Sequence, residues 1–196
     1  MSSRKQTHSG TYIRRADKDD LRPVQELYRY LDSLHSKHQD NIYTQAVRDP
    51  RYIRDALANP LGAAYCAFSG EDILGFAYAY EIHPPHLSIF IQQTYAVIDA
   101  VVVHPEHRRG GIGTRLVEAV KRWSKESDHA HMELAVYAFN NEALAFYRAL
   151  GFETLSIKMF QPHRPKPAEQ PKPAFRTDPA DRTLRGNHGS PANRET

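Results

Sequence analysis

The seven residues Arg108-Arg109-Gly110-Gly111-Ile112-Gly113-Thr114 constrain this chain more than any other stretch. They join two segments of different periodicity. Before them, Tyr95–Val103 is rich in β-branched residues and reads as a strand, ended by His104-Pro105-Glu106-His107. After them, Ile112, Leu116, Ala119, Val120 and Trp123 recur at a helical period, so a helix runs from about Gly111 to Ser127. A glycine-rich turn opening a helix offers unpaired N–H groups and the positive end of a helix dipole. Glycine also lets the backbone approach a ligand closely, because no Cβ intervenes. The segment therefore reads as a cradle for a phosphate or pyrophosphate. Two common phosphate motifs are excluded. No Gly-Lys-Ser/Thr occurs, because Gly113 is followed by Thr114 and Arg115. Leu116 stands where a dinucleotide fingerprint needs its third glycine.

The rest of the chain supplies a frame for this turn. Tyr12–Arg15 reads as a first strand. Asp17 caps a helix whose apolar stripe is Leu21, Val24, Leu27, Tyr28, Leu31 and Leu34. A shorter helix is expected near Tyr52–Ala58. Residues 63–68 and 73–82 read as a hairpin turning at Ser69-Gly70-Glu71-Asp72. The connection His83–Gln92 carries Pro84-Pro85. Residues 131–137 form a strand with Met132, Leu134 and Val136 on one face. Asn140 and Asn141 are candidate caps for a helix bearing Ala143, Phe146, Tyr147 and Leu150, which Gly151 stops. Residues 152–160 are expected as a last strand. The order β-α-α-β-β-β-α-β-α-β is that of a mixed α/β domain with helices flanking a central sheet.

Composition bounds the domain and its setting. Of the 13 prolines, seven lie in residues 161–196, with few apolar residues among them. Such a stretch buries too little surface to offset its ordering entropy and reads as a disordered tail. Residues 1–10 read as a flexible leader, leaving a domain at 11–160. The net charge of +3 belongs to the tail, since 161–196 hold seven Lys/Arg and four Asp/Glu. The domain carries no basic excess, which argues against nucleic acid as its partner. One cysteine, Cys66, excludes an internal disulfide framework. The first ten residues lack the apolar core of a signal peptide, and no run reaches membrane-spanning length. A cytoplasmic protein is expected, either monomer or homodimer. The 11 histidines include pairs three apart at His35/His38, His83/His86 and His104/His107, but no cysteine or carboxylate cluster completes a metal set.

Two linked motifs now give a specific resemblance. Arg108-x-x-Gly111-x-Gly113 follows a strand, and Asn140-x-x-Ala143-x-x-Phe146-Tyr147-x-x-x-Gly151-Phe152 follows at the matching spacing. Together with the element order, they resemble the GNAT superfamily of N-acetyltransferases over residues 11–160. The resemblance implies acetyl-CoA as acetyl donor and an amine, small molecule or protein, as acceptor. It implies that backbone N–H groups of Arg109, Gly110, Gly111, Gly113 and Thr114 cradle the coenzyme pyrophosphate, with Arg108 at the entry. It implies that Val101, Val102 and Val103 pair with the pantetheine arm, one N–H polarising the acetyl carbonyl. Asn140 either contacts the pantetheine or simply caps its helix.

An alkyl amine titrates near ~10.4, so the enzyme must remove a proton before attack. Asp99, on the coenzyme strand, is the candidate general base. Strict alternation points it opposite to Ala100. Glu81, at the end of the preceding strand, is the rival; either carboxylate could instead bind a cationic acceptor or stand solvated. Tyr147 takes the family's general-acid position, and is otherwise a core tyrosine. Tyr28, Tyr30 and Tyr43 line the acceptor pocket or pack. A non-catalytic acyl-CoA-binding module on the same fold is the alternative reading.

Overall fold

In a computed structural model the described residues are 10–40 and 42–161. The chain divides into a unit ending at Ser156 and a second that begins at Ile157. The leader through residue 9 and the tail from residue 162 lie outside the described residues.

The first unit is a five-stranded sheet in the order β1-β2-β3-β4-β5. The strands are β1 Thr11–Arg15, β2 Gly62–Ser69, β3 Asp72–Ile82, β4 Tyr95–Val103 and β5 Met132–Leu134. The first four are antiparallel, and β5 runs parallel to β4. The helices are α1 Leu21–His38, α2 Pro50–Ala58, α3 Ile112–Glu126 and α4 Asn141–Ala149.

Local sequence explains the helix ends. Asp17 caps a short 3-10 turn, not α1 itself, and Asp20 returns a bond to the Asp17 N–H. Asp49 accepts from the Arg51 N–H ahead of α2, whose first residue is Pro50, the helical position that needs no N–H donor. Asn140 caps α4 by accepting from the Ala143 N–H at 3.1 Å.

Each face of the sheet is covered separately. On one, Val24, Leu27 and Tyr28 of α1 and Ile53 of α2 pack with Phe68, Phe76, Tyr78, Ala100 and Val102. On the other, Ile112, Leu116, Val117 and Val120 of α3 pack with Ala67, Ala77, Ala79 and Ile98, and α4 adds Phe146, Tyr147 and Leu150. Burying each large aliphatic side chain contributes about 1.5–3 kcal/mol. The helix stripes read from the sequence are the faces that pack.

Three further expectations are corrected. The alternation rule put Asp99 opposite Ala100. The register instead pairs Ala79 with Ile98 and Tyr78 with Ala100, leaving Asp99 as the extra residue of a bulge. A bulge turns two successive side chains to one side. Asp99 and Ala100 thus both serve the α1/α2 face, Asp99 bonding to α2 and Ala100 lying in that core. Second, the strand expected at 131–137 stops at Leu134. Third, no strand forms over 152–160 among the described residues; Leu155, Ile157 and Met159 are exposed. An alternating apolar pattern identifies a face, but a strand also needs a neighbouring edge for its N–H and C=O groups.

Candidate active site

The glycine turn carries two left-handed residues. Arg109 has φ 62° and Gly111 has φ 81°. The left-handed region costs a non-glycine residue about 1–2 kcal/mol, so Arg109 holds local strain at the turn. No hydrogen bond reaches the N–H groups of Arg109 to Thr114 among the described residues; the first helical N–H with a partner is that of Arg115, which donates to the Gly111 carbonyl. These orphan donors at the start of α3 fit a diphosphate. The side chains do other work. Arg108 Nε donates to the Val103 carbonyl at 3.1 Å and ties the turn to β4. Arg109 pairs with Glu142, both exposed, so the pair adds little. Gly113 serves packing: a Cβ there would stand 3.3 Å from the Phe146 ring of α4.

Beside the turn, β4 parts from β5. The two pair only at Ala96–Met132, Val97–Glu133 and Ile98–Leu134. From Asp99 to Val103 the outer edge of β4 has no strand beside it among the described residues, while Val101, Val102 and Val103 pair with Ala77, Phe76 and Gly75 on the other edge. The expected pantetheine edge is therefore open.

The two candidate carboxylates lie on opposite faces. Asp99 is exposed and accepts a 2.6 Å bond from the Tyr52 hydroxyl. Glu81 is opposite Ala96 and two residues from Ala79, so it projects on the α3 face. Its carboxylate accepts from Nε2 of the buried His129 at 2.9 Å and meets His83 Nε2 at 2.8 Å. His129 also bonds Ser124 Oγ on α3. Glu81 thus fastens the end of β3 to the turn after α3, and it does not share a site with Asp99.

Tyr147 lies on the α3 face in the cluster that holds Val101, Val103 and Leu134, with Phe146 and Phe152 against its ring. Burial pushes its phenol up to about 12, so it remains protonated at neutral pH. Its hydroxyl has no hydrogen-bond partner among the described residues.

The tyrosine candidates divide. Tyr28 is 1% exposed and packs on Phe76; its hydroxyl is buried with no partner among the described residues. Tyr43 shares a 2.8 Å hydrogen bond with Tyr137, which raises the Tyr43 phenol. Tyr30 bonds His104 Nε2 at 3.0 Å. Sequence reading missed Tyr52 and Arg48. The Arg48 guanidinium lies 4.3 Å over the Tyr28 ring and 4.6 Å over that of Tyr52, and Asp32 holds it with two bonds. Nothing local marks these residues; only the packing of α2 against α1 and β2 brings them there.

A β-bulged strand thus parts from its parallel neighbour beside a helix whose first N–H groups have no partner among the described residues. Residues 24–152 match the Acetyltransferase (GNAT) family. The chain belongs to that family and is an enzyme, an acyltransferase. An uncharacterized N-acetyltransferase of Archaeoglobus fulgidus is 31% identical over 69% of this chain and 88% of that protein. The thialysine N-epsilon-acetyltransferase of Mus musculus is 24% identical over 76% of this chain and 87% of that one. The uncharacterized N-acetyltransferase YobR of Bacillus subtilis is 30% identical, but the match spans only 45% of this chain and 42% of that protein. Among solved structures, a mutant of the BH1408 protein from Bacillus halodurans superposes with TM-score 0.74 at 26% identity, over 78% of this chain and 99% of that one. The aminoglycoside N-acetyltransferase AAC(6')-Iy, solved with CoA, shares the fold at TM-score 0.60 and 21% identity over 78% of this chain and 99% of that one.

Proposed function

We propose that this enzyme moves the acetyl group of acetyl-CoA to a primary amine by direct attack. The observation that carries the reading is the placement of Asp99 and Tyr147 on opposite faces at the opening where β5 leaves β4. A thioester lying in that opening would meet a base from the α1/α2 side and an acid from the α3/α4 side. Asp99 takes a proton from the ammonium. The neutral nitrogen attacks the carbonyl carbon while an N–H within Val101–Val103 polarises the oxygen. The C–S bond breaks, the nitrogen sheds its second proton to water, and the departing thiolate takes the Tyr147 proton, which solvent then restores. The free N–H groups from Arg109 to Thr114 hold the diphosphate, and Asn140 keeps its capping bond.

The acceptor enters on the α1/α2 side, near Asp99 and Tyr52. Arg48 is neutralised there by Asp32, so the pocket favours a cation. The murine thialysine N-epsilon-acetyltransferase makes a side-chain amine such as that of thialysine the first candidate. We place the reaction in the reducing cytoplasm, consistent with a single, unpaired and buried Cys66. No helix among the described residues is long and apolar enough to cross a membrane.

Release of free CoA thiol from acetyl-CoA, measured with a panel of thialysine, a lysine peptide, an aminoglycoside and a simple alkyl amine, tests the reading. Amine-dependent release in wild-type protein that is lost in Asp99→Asn supports it. Wild-type turnover in Asp99→Asn refutes the base assignment.

A further inference from the structure

We infer that Tyr52 is a positioning residue for this reaction: its hydroxyl holds one oxygen of the Asp99 carboxylate and leaves the other for the acceptor amine. The inference rests on the reading of Asp99 as base.

Three observations carry it. First, the hydroxyl of Tyr52 donates to Asp99 Oδ2 at 2.6 Å, a short bond of the kind a charged acceptor makes. Oδ1 has no partner among the described residues, so its lone pairs can accept an N–H of the incoming amine. Second, Asp99 is the extra residue of the bulge in β4. A bulged residue lacks a cross-strand partner to fix its direction, so its carboxylate needs another anchor. Third, Tyr52 is itself fixed. Its ring meets Tyr28 edge-on at 6.1 Å. The Arg48 guanidinium covers both rings, and Asp32 holds Arg48 at 2.6 and 3.1 Å. A chain of contacts thus runs from Asp32 on α1 through Arg48 before α2 and Tyr52 on α2 to Asp99 on β4.

The surroundings suit the role. Facing Asp99 are Tyr28 of α1, Tyr52 of α2, and Tyr78 and Tyr80 of β3, each of whose phenols is raised first by burial and then by the Asp99 charge. Arg48 is the cation over the Tyr28 and Tyr52 rings, and it is paired with Asp32. Tyr52 therefore stays a donor across the working pH range. A donor to a carboxylate favours the charged form, which is the form a general base needs.

Tyr52→Phe keeps the ring and removes the donor. With aspartate carboxyls labelled by carbon-13, and the Asp99 resonance assigned by its loss in Asp99→Asn, the Asp99 carboxyl resonance at a fixed neutral pH should move in Tyr52→Phe while the other aspartate resonances stay in place. Activity is followed with the panel amine turned over fastest. Turnover should fall roughly 3- to 10-fold while KM for acetyl-CoA stays within about twofold. In an Asp99→Asn background the same change should cost no further turnover, whereas a packing role would add its own loss. An unmoved Asp99 carboxyl resonance, or a full added loss in that background, overturns the proposal. Wild-type turnover in Asp99→Asn overturns the base assignment instead, and the carboxyl resonance still decides whether Tyr52 holds Asp99.

Discussion

Replacing Gly111 by alanine separates the fold from the phosphate cradle. Gly111 sits at φ 81° and ψ 0° ahead of α3. An L-residue held there costs about 1–2 kcal/mol. The added Cβ meets no atom within 4 Å, so no clash adds to that strain. At roughly 2–4 °C per kcal/mol for a domain of this size, Tm should fall by about 2–8 °C. Coenzyme binding suffers for a separate reason. A turn that relaxes toward negative φ re-aims the N–H groups of Ile112 and Gly113. Losing one hydrogen bond to a charged group, worth ~1.5–3 kcal/mol, weakens binding about 10- to 150-fold. Calorimetric titration with CoA reads the affinity, and thermal unfolding reads the strain. Acetylpantetheine, which lacks the diphosphate, is the control donor and should lose far less kcat/KM than acetyl-CoA. If Gly111→Ala unfolds at lower temperature yet binds CoA with native affinity, the free N–H groups of this turn are not the phosphate site.

Other substitutions probe the remaining assignments. Tyr147→Phe should lower kcat by about 10²-fold or more with little change in CoA affinity; undiminished turnover removes the acid role. The Tyr147 phenol is protonated below about 12 and lost as a donor only above it, so kcat should not decline between pH 8 and 10 through this group; a wild-type alkaline fall in that window that vanishes in Tyr147→Phe contradicts the assignment. Glu81→Ala leaves the buried His129 Nε2 unpaired and should cost about 1–3 kcal/mol, seen as a lower Tm, with turnover at 25 °C within about twofold; loss of turnover in folded protein would put Glu81 in the chemistry. Gly75→Ala would set a Cβ 3.0 Å from the Val102 carbonyl and 3.1 Å from Leu116, so it should destabilise by about 1–3 kcal/mol in chemical denaturation; native stability would show that β3 and β4 yield easily there.

The elements around the glycine turn were legible because their causes are local. The stripe of Ile112, Leu116 and Val120 fixes the inner face of α3, and the glycine turn stands next to it in the chain. The acceptor side depends on register. Nothing in Ile98-Asp99-Ala100-Val101 marks a bulge, so a period of two pointed Asp99 the wrong way. The same register separates Glu81 from Asp99 by the thickness of the sheet, whereas the sequence offered the two as rivals. Tyr52 and Asp99 are 47 residues apart, and only the docking of α2 on the sheet joins them. The missing strand at 152–160 has the same origin. Leu155, Ile157 and Met159 alternate as a strand would, but pairing depends on an edge that lies elsewhere in the chain. The left-handed Arg109 is equally invisible in sequence, since its conformation is imposed by the turn and not by its side chain.

Amine-dependent thiol release from acetyl-CoA, with the product identified by mass spectrometry as the acetylated amine, tests the central claim most directly. The account predicts saturable release with at least one amine of the panel, and an acetyl group on its nitrogen. Saturable CoA binding with no amine-dependent release from any of them would contradict it, and would leave this fold as an acyl-CoA-binding module.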